Sequence, residues 1–98
     1  MAISKQFLKS KPVCKITFNI PAEAEELSVV GDFNNWDLSA NPLKKLKNGN
    51  FKGTLNLEQG QSYEFKYVAD GENYFNDEQA DSYQFNEYAG SENGVLNL

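Results

Sequence analysis

From Cys14 to Ile20 apolar and polar residues alternate without a break: Cys14, Ile16, Phe18 and Ile20 fall on one side, Lys15, Thr17 and Asn19 on the other. Successive side chains leave a strand on opposite faces, so a period of two predicts a strand with one face in a core and one in water. Pro21 has no N–H to give to a ladder and ends it. The same rule puts Tyr63, Phe65, Tyr67 and Ala69 in one inward row and Glu64, Lys66 and Val68 on the opposite face. Lys66 is thereby predicted to point away from the aromatic core.

Further strands follow from the turns that bound them. Leu27, Val29 and Phe33 continue the apolar theme, with Gly31 marking a bulge or a close approach of backbones. Asp32 through Pro42 reads as a loop, and a strand around Leu43 to Lys47 then meets Asn48-Gly49, a strong hairpin dipeptide. Phe51, Leu55 and Leu57 form the inward row of the returning strand, Gly60 turns the chain, and Asp70-Gly71 turns it again. Asn73 to Phe75 reads as a short strand, residues 76–90 as a polar segment, and Gly94 to Leu98 as a closing strand. No helical periodicity of useful length interrupts the series. Seven or eight short strands at turn spacings of about 8–12 residues predict an all-β sandwich of two antiparallel sheets. Seven Phe and five Tyr supply the strand-favouring aromatics for it.

At 98 residues there is room for one core. The expected layout is a flexible N-terminal leader over residues 1–12, solvated by Lys5, Lys9 and Lys11, and a sandwich over residues 13–98. Charge is uneven: residues 1–52 carry +3 and residues 53–98 carry −8. An acidic chain without Arg lacks the bidentate readers of phosphate and guanine, which argues against nucleic acid. No segment approaches the roughly 20 apolar residues of a membrane-spanning helix, and the first twelve residues show no secretory apolar stretch. A lone Cys14 permits no internal disulfide, and a cytoplasmic location is the expectation.

Catalytic chemistry finds little to work with. The chain has no His, so imidazole bases and His metal ligands are excluded. Cys14 shares the inward row of Ile16 and Phe18, the setting of an inert thiol. Asp70, Glu72, Asp77, Glu78 and Asp81 miss calcium-loop spacing and lack a second wall that would tune a carboxylate pair, so a solvated acidic loop is expected. No metal or cofactor is implied. The informative stretch is Gly31-Asp32-Phe33-Asn34-Asn35-Trp36, which puts the one Trp in a polar loop. That position admits two roles: a platform for a ligand, as loops on rigid scaffolds provide, or a lid folded over the sandwich edge.

Three ordered stretches carry a resemblance. Gly31-Asp32-Phe33-Asn34-Asn35-Trp36, Tyr63-Glu64-Phe65-Lys66-Tyr67-Val68-Ala69-Asp70-Gly71 and Gly90-Ser91-Glu92-Asn93-Gly94-Val95 resemble the family-48 carbohydrate-binding modules over Val13 to Leu98. That family includes the glycogen-binding domain of AMP-activated kinase β subunits and the early-set N-terminal domains of branching and debranching enzymes. The resemblance implies an immunoglobulin-like fold and non-catalytic binding of α-1,4-glucans such as glycogen or starch. It implies that Trp36, after Phe33-Asn34-Asn35, stacks on glucose, that Lys66 bonds sugar hydroxyls, and that Tyr74 stands where a second Trp follows Asp-Gly. Asn93 with Ser91 takes the place of a sugar-contacting Asn, and Asn35 joins the set. Three departures weaken or move the second platform: the second Trp is replaced by Tyr74 or Asn73, one residue is inserted after Asp70-Gly71, and Ala89 stands where a Leu holds the glucan. Enzyme-attached members often serve as packing domains, so docking onto a glycan branching or debranching enzyme is the alternative function.

Overall fold

The computed structural model describes residues 3–87 and 90–98 and is built almost wholly of strands. In chain order they are β1 (Ile3–Phe7), β2 (Val13–Pro21), β3 (Leu27–Gly31), β4 (Pro42–Lys45), β5 (Asn50–Glu58), β6 (Ser62–Ala69), β7 (Asn73–Phe75), β8 (Ser82–Asn86) and β9 (Ser91–Asn97), with one 3-10 turn at Asp32–Asn34. Every pairing among them is antiparallel, and the lateral order is β1-β2-β5-β4-β3-β6-β9-β8 with β7 added to β6. This is the all-β, immunoglobulin-like early-set sandwich expected from the alternation.

The curl that makes two sheets of one ladder is located in β4. Pro42 and Leu43 pair with β3, whereas Lys44 and Lys45 pair with β5. Four residues thus serve both sheets. Between them lies one core, to which β2 and β5 give Cys14, Ile16, Phe18, Ile20 and Phe51, and β3, β6 and β9 give Leu27, Val29, Phe65, Tyr67 and Leu96. The rings of Phe18 and Phe65 meet across it with centroids 6.1 Å apart, and Phe18 meets Tyr67 edge-on at 6.0 Å, within the range of favourable aromatic pairs. Leu55 and Leu57 pack against this core as partly buried neighbours.

The turns obey their local chemistry. Asn48-Gly49 closes the β4–β5 hairpin, with Gly49 at φ 90° and the Leu46 N–H donating to the Asn50 carbonyl at 2.7 Å. Asp70 and Gly71 both have positive φ, 53° and 71°, the backbone a tight hairpin requires. Asp70 has a second use, since its Oδ1 accepts the N–H groups of Glu25 and Glu26, each at 3.0 Å.

Two strands were not expected. Among the described residues of the segment expected as a leader, Ile3–Phe7 form β1 along Cys14–Phe18 of β2, with Ile3 buried in the core. Lys9 and Lys11 are exposed, but Lys5 points inward across the open side of the sandwich. Its ammonium pairs with Asp81 and donates to the Asn97 carbonyl at 3.3 Å. Within residues 76–90, Ser82–Asn86 form β8 on the far edge. One lateral side is therefore closed by shared backbone and the other by an ion pair.

Candidate functional site

The loop after β3 begins at a close approach of backbones. A Cβ on Gly31 would stand 2.4 Å from the Glu64 carbonyl oxygen of β6, so only glycine fits. This proximity lets Asp32 reach β6, where its Oδ2 accepts the Glu64 N–H at 2.9 Å. Asn34 ties the loop to itself. Its Oδ1 accepts from the Gly31 N–H at 3.0 Å, and its Nδ2 donates to the Val29 carbonyl at 3.1 Å and to Asn41 Oδ1 at 2.6 Å.

Beyond that knot Asn35 and Trp36 are both left-handed, with φ of 56° and 58°. Asn tolerates this conformation, but for a bulky residue it costs on the order of 1–3 kcal/mol. The surrounding bonds hold it: the Trp36 N–H donates to the Gly31 carbonyl at 3.0 Å, and the indole Nε1 donates to Asp32 Oδ1 at 3.3 Å. Trp36 is half-buried and Asn35 exposed. The indole is neither free in solvent nor sunk in the core.

Beside this loop runs the outward row of β6. Lys66 lies in it as the alternation required, yet it is only 8% exposed, and Val68 on the same row is 1% exposed. Val30, opposite Lys66 on β3, is buried too. The outer face of these strands therefore has a floor of its own. Lys66 Nζ donates to Ser91 Oγ on β9 at 2.6 Å, and Asn93, 2% exposed, donates from Nδ2 to Glu64 Oε1 at 3.2 Å. Only one of the three ammonium donors of Lys66 is used in these bonds. Tyr74 pairs with Val68 in the β6–β7 register, which puts it on the same outward row, and it is 54% exposed. Its ring is not in the core.

Of the residues expected at a site, Lys66, Ser91 and Asn93 come together by direct contact or through Glu64, and Tyr74 stands further along the same face. Trp36 connects to that group through Asp32 and the Glu64 backbone. Asn35 sits beside Trp36 at the loop tip. Ala89, read as replacing a glucan-holding Leu, lies outside the described residues. Sequence reasoning passed over Asp32 and Glu64, the two carboxylates that join loop, β6 and β9. A signal was available: both lie inside the stretches that carry the resemblance.

The other candidates are structural. Cys14 is fully buried, and burial pushes its thiol above the ordinary range. The acidic stretch is not simply solvated, because Asp77 is buried and its Oδ2 accepts the Tyr67 hydroxyl at 2.6 Å. Burial, followed by that contact with Asp77, raises the Tyr67 phenol far above its usual range. At this end of the sandwich a cleft of about 530 Å³ runs between Asn19, Ile20 and Asn50 on one side and Phe75, Asn76 and Asp77 on the other. Among the described residues no group of acidic or sulfur side chains could hold a metal ion, and no helix is long and apolar enough to cross a membrane.

A family model described as the glycogen recognition site of AMP-activated protein kinase matches residues 14–97, nearly the full length. Among individual curated proteins none matches.

Proposed function

Because the chain belongs to the family of glycogen recognition sites of AMP-activated protein kinase, a family of carbohydrate-binding modules, we propose that it binds α-1,4-glucan chains on the outer face of β6 and β9 and performs no catalysis. Trp36 supplies the stacking platform, Lys66, Ser91, Asn93 and Asn35 meet sugar hydroxyls, and Tyr74 offers a second ring further along. The C–H face of glucose is slightly positive and lies well on the negative face of an indole.

One observation carries the reading. Lys66 and Asn93 are polar, buried on a face that alternation assigns to water, and held in place by Ser91 and Glu64 with donors to spare among the described residues. Hydroxyl groups are natural acceptors for those donors. Docking onto a glycan branching or debranching enzyme, the alternative, calls for an apolar patch around Trp36 and Tyr74 without polar neighbours. The row beside Tyr74 instead carries Lys66 and Glu64. A shallow face that desolvates few atoms binds weakly, with Kd roughly 10–1000 μM. A single cysteine, which can form no internal disulfide, suits a cytoplasmic location.

The test is a titration of maltoheptaose and glycogen followed through the fluorescence of Trp36, the one Trp in the chain. Saturable quenching is expected, and it should vanish in Trp36→Ala while that variant keeps a cooperative melt. No response up to millimolar sugar from the unaltered protein favours the docking alternative.

A further inference from the structure

The strained left-handed pair Asn35-Trp36 needs something to fix where the indole points, and one side chain touches both the indole and the sheet. Asp32 accepts the Trp36 Nε1–H with Oδ1 at 3.3 Å and the Glu64 N–H with Oδ2 at 2.9 Å. Its two oxygens are thereby divided between the platform and the strand that carries Lys66. We propose that Asp32 is the positioning residue of the glucan site, locking the Trp36 ring to β6 so that platform and hydroxyl-binding row keep a fixed spacing. The proposal rests on the glucan-binding reading above.

The chemistry favours a carboxylate here. It is an acceptor at both oxygens, and hydrogen bonds to a charged acceptor are stronger than neutral ones. An amide at this position can accept at one oxygen only and presents its NH₂ to a second donor, so Asp32→Asn must lose either the indole or the Glu64 N–H. An unlocked indole has to be ordered anew each time a sugar binds, and ordering a side chain on binding lowers affinity. Glu64 extends the link, since its backbone is held by Asp32 and its carboxylate holds Asn93.

A double-mutant cycle tests this with maltoheptaose as the probe. Trp36→Phe keeps an aromatic face but has no N–H for Asp32 to accept. Asp32→Asn is expected to weaken binding about three- to tenfold in the protein with Trp36, the size of the cost of ordering one side chain on binding. In the Trp36→Phe background the same change should cost less than about twofold. Equal losses in both backgrounds would overturn the proposal and assign Asp32 to β6 alone. The indole N–H resonance gives a readout that needs no sugar: Asp32→Ala, which leaves the indole no acceptor at this position, should move it upfield and make the Trp36 fluorescence anisotropy decay faster. If the unaltered protein fails to bind maltoheptaose, the glucan reading falls, while the resonance still decides whether Asp32 holds the ring. An unmoved resonance and an unchanged decay would refute the positioning role outright.

Discussion

The two outer faces of the sandwich are made by the same rule and come out opposite in character. On β2 and β5 the outward residues are Lys15, Thr17 and Asn19 facing Asn56, Thr54 and Lys52, all exposed or half-exposed, as a solvated face should be. On β6 and β9 the outward residues Lys66, Val68 and Asn93 are as buried as core. Alternation assigns a residue to a face but does not say what lies over it. An outward row that buries an ammonium and an amide loses their hydration, a cost that stability alone does not explain. The contrast teaches that the informative face is the one where outward residues have been withdrawn from water.

The sharpest way to break this comparison is to place one charge on each face. Val68→Asp should destabilise the domain by about 3 kcal/mol, since it buries an unpaired carboxylate, whereas Thr17→Asp should stay within about 0.5 kcal/mol. Denaturant melts of the two variants compare them directly, and equal losses would mean the faces do not differ.

Lys66→Met separates function from stability on the withdrawn face. Removing a hydrogen-bonding ammonium should weaken maltoheptaose binding by about 1–2 kcal/mol by calorimetry. The melting temperature should hold or rise, because an apolar side chain replaces a buried charge. Lys52→Met, on the solvated face, should change neither.

Tyr74→Trp extends the platform on the exposed part of the same row. Maltoheptaose binding should tighten by about 0.5–1 kcal/mol, and sugars too short to reach beyond Trp36 should gain little. Because Tyr74 lies outside the core, overpacking is not expected. A lowered melting temperature with unchanged affinity would remove it from the site.

The smallest effect concerns the seam where the two sheets meet at their open edge. Burial pushes the Asp81 carboxyl up, but the Lys5 ammonium and the Asn97 N–H outweigh this and hold it below its usual range. A carboxyl lowered in the folded state adds stability above its unfolded value, near pH 4, and loses it as pH falls through the folded value. Acid melts should thus show a stability loss below about pH 4 that is shallower in Lys5→Ala. Solvent screening keeps the effect small, and high salt should shrink it further.

How much of this could be read in the residues depends on how local the cause was. The rows of β2 and β6 and the hairpins at Asn48-Gly49 and Asp70-Gly71 are local, and they were legible. β1 was not, because Ser4, Lys5 and Gln6 look like a solvated tail. Only Ile3 is buried, and Lys5 points inward at a sheet edge, a common protection of exposed edges. β8 was hidden because Tyr83 and Phe85 alternate inside an acid-rich stretch and stay exposed even when paired. At the site, the outward direction of Lys66 followed from alternation, but its burial and its bond to Ser91, 25 positions away, did not. Asp32 acts on Glu64 across 32 positions, and no periodicity reports such a bond.

Sharing β4 between two sheets also bears on how the molecule moves. The hydrogen-bonded ladder passes from one sheet to the other through Leu43 and Lys44, so slow breathing resembles a book opening about its spine, with β1 and β8 as page edges clasped by the Lys5–Asp81 pair. Amide hydrogen exchange should then run fastest along those edges and slowest in β3 and β6. Strand β6, which carries the proposed glucan site, is separated from the spine by β3 alone. A ligand held there stays in register while the far edges fray, and weak binding need not wait on any opening of the fold.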